Sequence, residues 1–205
     1  MKILGIGSHP DDIEFGCGGT FYKLSKKGFK INMLIMTSGE MGGHPSVRAA
    51  EQRCAAKYMG SKIYWGGFRD TDVQMNRELI NKIENVMAET SPDLIFTHFS
   101  DDTHQDHCRV AQATITAARY KGNVLFYEGP TTRNFVPTVF VDIGTVLQKK
   151  LQLLRCHKSQ VYKTNVPNLS IIESVKSTAI FRGYQDRVKY AEAFMPQRLF
   201  LDFSL

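Results

Sequence analysis

Residues 2–28 read KILGIGSHPDDIEFGCGGTFYKLSKKG, and the architecture follows from how this stretch divides. Lys2–Ser8 is a short apolar run without helical period, the pattern of a buried strand. Phe15–Lys27 carries apolar and small residues at helical spacing and stops at Gly28, a natural helix end. The polar His9-Pro10-Asp11-Asp12 lies between them. Downstream the alternation repeats. Strands are expected at Lys30–Thr37, Lys62–Trp65, Asp93–Phe99 and Val124–Tyr127, and helices at Val47–Met59, Arg77–Glu89 and His107–Tyr120. Leu79, Ile80, Ile83 and Val86 form one stripe of the third helix, which Pro92 ends.

Strand-helix alternation calls for an α/β fold, a doubly wound, Rossmann-like and mostly parallel sheet with helices on both faces. The last third is less regular. A strand is expected at Val139–Asp142, a helix at Val146–His157, one long or broken helix at Ser174–Phe194, and an edge strand at Arg198–Phe203. No linker divides the chain. It is read as one domain, 1–205, with a Rossmann-like core over 1–130 and an α/β extension over 131–205.

The chain has 205 residues, 42% hydrophobic and 22% charged, an ordinary balance for a globular protein with a proper core. No apolar run approaches the roughly 20 residues that span a bilayer, and the N-terminus does not read as a signal peptide. A cytoplasmic location is the default expectation. Cys17, Cys54, Cys108 and Cys156 form no C-x-x-C pair, so they are read as reduced packing residues. The formal net charge of +6 comes from scattered lysines and arginines with no basic-aromatic register, which argues against nucleic acid as a partner.

Three segments carry the chemistry. Ser8-His9-Pro10-Asp11-Asp12-Ile13-Glu14 follows the first strand, Asp101-Asp102-Thr103-His104-Gln105-Asp106-His107 follows the fourth, and the loop Ser38-Gly39-Glu40-Met41-Gly42-Gly43 follows the second. In the common strand order the first and fourth strands flank the point where the winding reverses, and ligands bind there. Imidazoles and carboxylates without thiolates suit a borderline divalent metal, zinc first. Asp11 and Asp12 are neighbours and need not point the same way, so one can bind metal while the other faces an open coordination position. His104 and His107 are three apart and share a helix face if the helix begins near them. Structural roles compete with this reading, since Asp-Asp after a strand often caps a helix and Asp106 could do the same. Two clusters at one sheet edge favour the metal.

These residues resemble a known family. His9-Pro10-Asp11-Asp12 is similar to the A-H-P-D-D-E motif of LmbE-like, or PIG-L-type, N-deacetylases, with Ser8 in place of Ala and Glu14 one place later than the usual Glu. Thr103–His107 resembles the H-P-D-H motif, with Gln105 in place of Pro. Gly16, Gly18, Gly19 and Thr20, then Ser38-Gly39-Glu40 with Arg48 and Glu51, and His157-Lys158-Ser159-Gln160 resemble weaker family signatures, so the likeness runs to about residue 160.

The resemblance implies a zinc-dependent N-deacetylase that hydrolyses the acetamide of an N-acetylglucosamine-type amino-sugar derivative. Iron(II), cobalt(II), manganese(II) or nickel(II) could substitute for zinc. It implies His9, Asp12 and His107 as metal ligands, with a position left open for water, and Asp11 as general base. His104 stabilises the oxyanion or protonates the leaving amine, with Asp106 orienting it. Arg48 and Asp70 resemble sugar-contacting positions; their plainer reading is a helix-surface ion pair and a turn residue. Homo-oligomers are common in the family. His98 is read as a satisfied histidine at the sheet edge, His157 as either a support beneath the site or a surface residue, and His44 as loop. The glycines at 16, 18 and 19 are expected to allow close helix-sheet packing rather than cradle phosphate.

Two other readings are carried. The first is a zinc amidase or deacylase on a non-sugar N-acyl substrate. The second is a metal-free nucleotide-binding Rossmann module. The second is poor, because Pro10 stands where the third glycine of the fingerprint belongs and two aspartates stand where pyrophosphate would lie.

Overall fold

The computed structural model describes residues 1–120 and 123–200. Among them, seven strands form one sheet in the order β3-β2-β1-β4-β5-β7-β6. The strands are β1 Lys2–Gly7, β2 Lys30–Thr37, β3 Lys62–Phe68, β4 Leu94–His98, β5 Asn123–Tyr127, β6 Val139–Asp142 and β7 Ala191–Arg198. The first five are mutually parallel, and β7 runs antiparallel to both β5 and β6. The helices are α1 Asp12–Lys26, α2 Pro45–Met59, α3 Arg77–Thr90, α4 Gln105–Ala117, α5 Leu147–Arg155 and α6 Ile171–Gln185.

The side-chain alternation of β1 divides the core in two. Ile3 faces Phe21, Ala55 and Leu153 of α1, α2 and α5, whereas Leu4 and Ile6 face Leu79, Ile83, Val110 and Ala113 of α3 and α4. Ile3, Leu4 and Ile6 are all wholly buried, as a central parallel strand covered by helices on both sides requires. The expected fold class holds.

The C-terminal third departs from expectation. Ser174–Phe194 is not one helix. Helix α6 stops at Gln185, Arg187 turns the chain at φ 61°, and Ala191–Phe194 enter the sheet as β7 between β5 and β6. Ala, Glu and Met favour a helix locally, but pairing on both edges overrides that preference. The edge strand expected at Arg198–Phe203 is also displaced. Strand β7 ends at Arg198, Leu199 and Phe200 lie outside any element, and residues 201–203 lie outside the described residues.

The glycines of α1 serve packing. A Cβ on Gly16 would stand 2.2 Å from the Tyr127 ring of β5. The helix kinks at Cys17, whose torsions of φ −140° and ψ 16° are not helical. Glu192 of β7 fills the gap, since its carboxylate accepts from Gly19 N at 2.8 Å and Thr20 N at 2.6 Å. A built-in carboxylate thus occupies the place an anionic ligand would take at those amides. Lys150 Nζ balances it at 2.5 Å and also donates to Phe15 O. Both charged groups are almost fully buried. Glu192→Ala leaves the ammonium without a counter-charge, and a loss of about 3–5 kcal/mol is expected. Calorimetry should show a fall in melting temperature of roughly 10 °C; an unchanged transition would contradict the clamp.

Candidate active site

The loops at the carboxyl ends of β1 to β5 meet over the point where the strand order reverses between β1 and β4. They enclose a cleft of about 330 Å³. His9, Asp11 and Asp12 come from the first loop, Met41 and Gly42 from the second, Asp70 and Thr71 from the third, and His104 and His107 from the fourth. Pro130 and Thr131 follow β5, and Gln160, Lys163 and Ile171 reach in from the C-terminal third.

His9, Asp12 and His107 are brought together, each offering one ligand atom within 4.8 Å of the others. Asp12 opens α1, and its Oδ2 accepts the His9 backbone N–H at 2.7 Å, which folds the His-Pro-Asp-Asp turn back on itself. Asp12 Oδ2 lies 3.4 Å from His9 Nδ1, and Asp12 Oδ1 lies 3.6 Å from His107 Nε2. On its far side His107 Nδ1 faces Asp102 Oδ2 at 3.3 Å. Asp102 is itself held by Thr132 Oγ1 and the His104 backbone N–H. His9 Nε2 meets Asp70 Oδ1 at 2.9 Å and Asp106 Oδ2 at 3.2 Å. Each histidine therefore turns one nitrogen to the shared centre and the other to a carboxylate, the arrangement that supports imidazole ligands of a cation.

Electrostatics point the same way. Burial would strip charge from the His9 ring, yet Asp106, Asp12 and Asp70 overcome it and raise its pKa well above the usual value. Asp12 resists its own burial and is held well below the carboxylate range by His107 and His98. The carboxylates around the His9 ring favour positive charge at that point, whether a proton or a divalent ion that displaces it. On donor identity, proximity and field, the residues fit a divalent metal.

Asp11 points elsewhere. Its Oδ2 lies 3.2 Å from Arg48 Nη2, and burial pushes its carboxyl up to about 6 while Arg48 pulls the other way. Arg48 is buried rather than on a helix surface, and also donates to Pro10 O and Gly39 O. Asp70 is more than a turn residue, since its second oxygen accepts from Met41 N. His104 sits at the N-cap of α4, where its Nδ1 accepts the Asp106 backbone N–H at 3.3 Å. The expectation that the Asp106 side chain orients His104 needs correction. That carboxylate is spent on His9 and on Thr71 N and Val73 N, and what reaches His104 Nδ1 is the backbone of Asp106. Nor does Asp106 cap α4.

His98 belongs to the site. Its Nε2 accepts from Ser8 N at 3.0 Å and lies 3.2 Å from Asp12 Oδ2, and its ring stacks on His107 at 4.0 Å between centroids. Burial, helped by the charge of His107, pushes it down to about 4. His157 is buried beneath the first loop, beside Glu14, and not at the surface. Asp102 is among the carboxylates of the segment after the fourth strand but has no role of its own in the sequence reading, and Gln52 is not singled out there. Gln52 stands one helical turn after Arg48, so spacing held a signal for it. The four cysteines are free, though Cys54 is exposed rather than packed inside.

A profile of the family PIG-L, GlcNAc-PI de-N-acetylase, matches residues 4–118. The chain belongs to the PIG-L family. This PIG-L protein is 36% identical over 168 residues to the uncharacterized deacetylase YaiS of Escherichia coli (strain K12), covering 77% of this chain and 90% of the relative. It is 29% identical to the diacetylchitobiose deacetylase of Thermococcus kodakarensis, over 95% of this chain and 83% of the relative. Its fold superposes with a TM-score of 0.83 and 26% identity on the N,N'-diacetylchitobiose deacetylase from Pyrococcus horikoshii, covering 96% of this chain and 83% of that one. As a PIG-L member the chain is an enzyme, a deacetylase that hydrolyses an amide C–N bond. No helix among the described residues is long and apolar enough to cross a membrane.

Proposed function

We propose that this PIG-L enzyme is a zinc-dependent N-deacetylase acting on the acetamide of an N-acetylglucosamine-type sugar derivative. The observation that carries the reading is the division of labour between adjacent aspartates. Asp12 joins His9 and His107, while Asp11 faces the cleft beside Arg48. His9, Asp12 and His107 would hold the metal. When bound there, zinc polarises an acyl carbonyl and lowers the pKa of water to about 7.

The chain's own groups do the rest. Asp11 accepts the proton of the attacking water. His104 Nδ1 already accepts an N–H, so its neutral ring carries hydrogen on Nε2. Burial and the nearby His107 and His9 lower its pKa and favour that neutral form. It donates to the oxygen that becomes negative as the tetrahedral carbon forms. The departing nitrogen needs a proton, and the one taken by Asp11 is available within the same cleft. Asp106 and Asp70 hold the His9 ring, and Asp102 holds that of His107.

The cleft suits a small polar ligand, since Arg48, Thr131, Gln160 and Lys163 are among the residues that line it. Two of the relatives named above are diacetylchitobiose deacetylases, which supports an acetamido sugar over other N-acyl compounds. The test is a panel of N-acetylglucosamine derivatives and non-sugar N-acyl compounds, followed by amine release with and without chelator. Chelator-sensitive release from the sugars is expected. Turnover of the non-sugar amides alone, or release indifferent to chelator, would overturn the reading.

A further inference from the structure

One peptide unit of the first loop is gripped at both ends by the same helix. Arg48 Nη2 donates to the carbonyl of Pro10 at 2.6 Å, and Gln52 Oε1 accepts the N–H of Asp11 at 3.2 Å. Those two groups belong to the single amide joining Pro10 to Asp11. Arg48 and Gln52 are one turn apart on α2, so they present themselves to the loop together. The plane of the amide before Asp11 is thereby fixed; helix α1 holds the one after it, since Asp11 O accepts the Phe15 N–H at 2.8 Å, and the two planes together set the backbone torsions of Asp11.

That torsion is unusual. Asp11 has φ 94° and ψ −24°, in the left-handed region that side-chain-bearing residues avoid. Such a conformation persists only where its surroundings impose it. Gln52 is wholly buried and is itself fixed. Its Nε2 donates to Glu14 Oε1 at 2.7 Å, which settles the orientation of the amide and leaves Oε1 for Asp11. Glu14 is wholly buried too, and its other oxygen faces His157 Nε2 at 3.7 Å. A chain therefore runs inward from the Asp11 amide through Gln52 and Glu14 to His157. None of the three lines the cleft.

We propose that Gln52, anchored by Glu14 and backed by His157, is a positioning residue that holds Asp11 in its left-handed conformation and so aims its carboxylate into the cleft. This rests on Asp11 being the base. The same torsion turns the Asp12 side chain the opposite way, toward His9 and His107. Adjacent carboxylates reach different places because the amide before them is locked.

The test uses Gln52→Met, which preserves bulk but removes both hydrogen bonds, and the swap Glu14→Gln with Gln52→Glu. In the swap the new amide at 14 donates to the new carboxylate at 52, which still accepts from Asp11. For Gln52→Met in the full-length zinc-loaded enzyme, kcat is expected to fall about 100-fold, as misplacing a reacting group does, with KM and zinc content little changed. The swap should recover most of that loss. A kcat near wild type, a swap no better than Gln52→Met, or a loss that follows zinc content would each overturn the proposal. If Gln52→Met does not fold, Gln52→Glu alone tests the anchor: its carboxylate faces that of Glu14 and is repelled, so kcat should fall and the swap should restore it, and equal rates in the two would overturn the proposal. A crystal structure of the variant gives a readout independent of activity. Asp11 should leave positive φ and its contact with Arg48, and an unchanged Asp11 would overturn the proposal even on a substrate not yet found. An inactive wild-type enzyme, by contrast, would count against the proposed substrate and not against Gln52.

Discussion

Asp11→Asn should keep its zinc and lose nearly all deacetylation, a fall of about 10²- to 10⁴-fold in kcat. The substitution is nearly isosteric, so the backbone amide held by Gln52 and the carbonyl held by Arg48 remain. What disappears is a carboxylate able to take a proton. Its location makes it suitable, since burial lifts its carboxyl to about 6 while Arg48 keeps it from rising further. A base whose affinity lies near neutrality both exists ionised and binds the proton it abstracts. Zinc content by atomic emission, measured on the samples used for kinetics, checks the claim. Loss of metal in Asp11→Asn with retention in Asp12→Asn would exchange the two roles.

The second large effect is on the metal. His9→Ala and His107→Ala each remove one of the three clustered donors and also orphan the carboxylates behind it, Asp70 and Asp106 in one case and Asp102 in the other. Removing an outer partner alone costs about 10- to 100-fold in affinity, so removing a ligand should cost on the order of 100-fold or more. Competition with a chromogenic chelator measures this directly. Full affinity in both variants would refute the ligand set. His9 also stands in a second grouping with His104 and Asp106. An effect of His9→Ala without one of His107→Ala would move the metal to that group.

Much of this site was legible because each motif follows a strand. The apolar runs of β1 and β4 place His9-Pro10-Asp11-Asp12 and Thr103–His107 at one edge of a parallel sheet, and their convergence follows from topology. The side-chain partners were not legible in this way. Asp106 serves His9 rather than His104 because the loop after β3 offers it Thr71 and Val73 amides, a tertiary fact that no local pattern encodes. Arg48 has the spacing of a surface residue, yet the loops after β1 and β2 fold over it and each takes one of its amino groups. The segment Ala191–Phe194 misleads for a related reason. Its residues favour a helix, and two strand partners decide otherwise. Local signals thus locate the ends of β1 and β4, while long-range hydrogen bonds assign the tasks of side chains there.

The proposed mechanism requires one cation shared by residues nearly a hundred positions apart. Crystals grown with one equivalent of zinc, with data collected across the zinc edge, test that point most directly. The account predicts a single anomalous peak about 2.0–2.2 Å from one nitrogen of His9, one nitrogen of His107 and an oxygen of Asp12, with Asp11 outside bonding distance. A peak seated on His104 and Asp106 and away from Asp12 and His107, or bonded to Asp11, would contradict it.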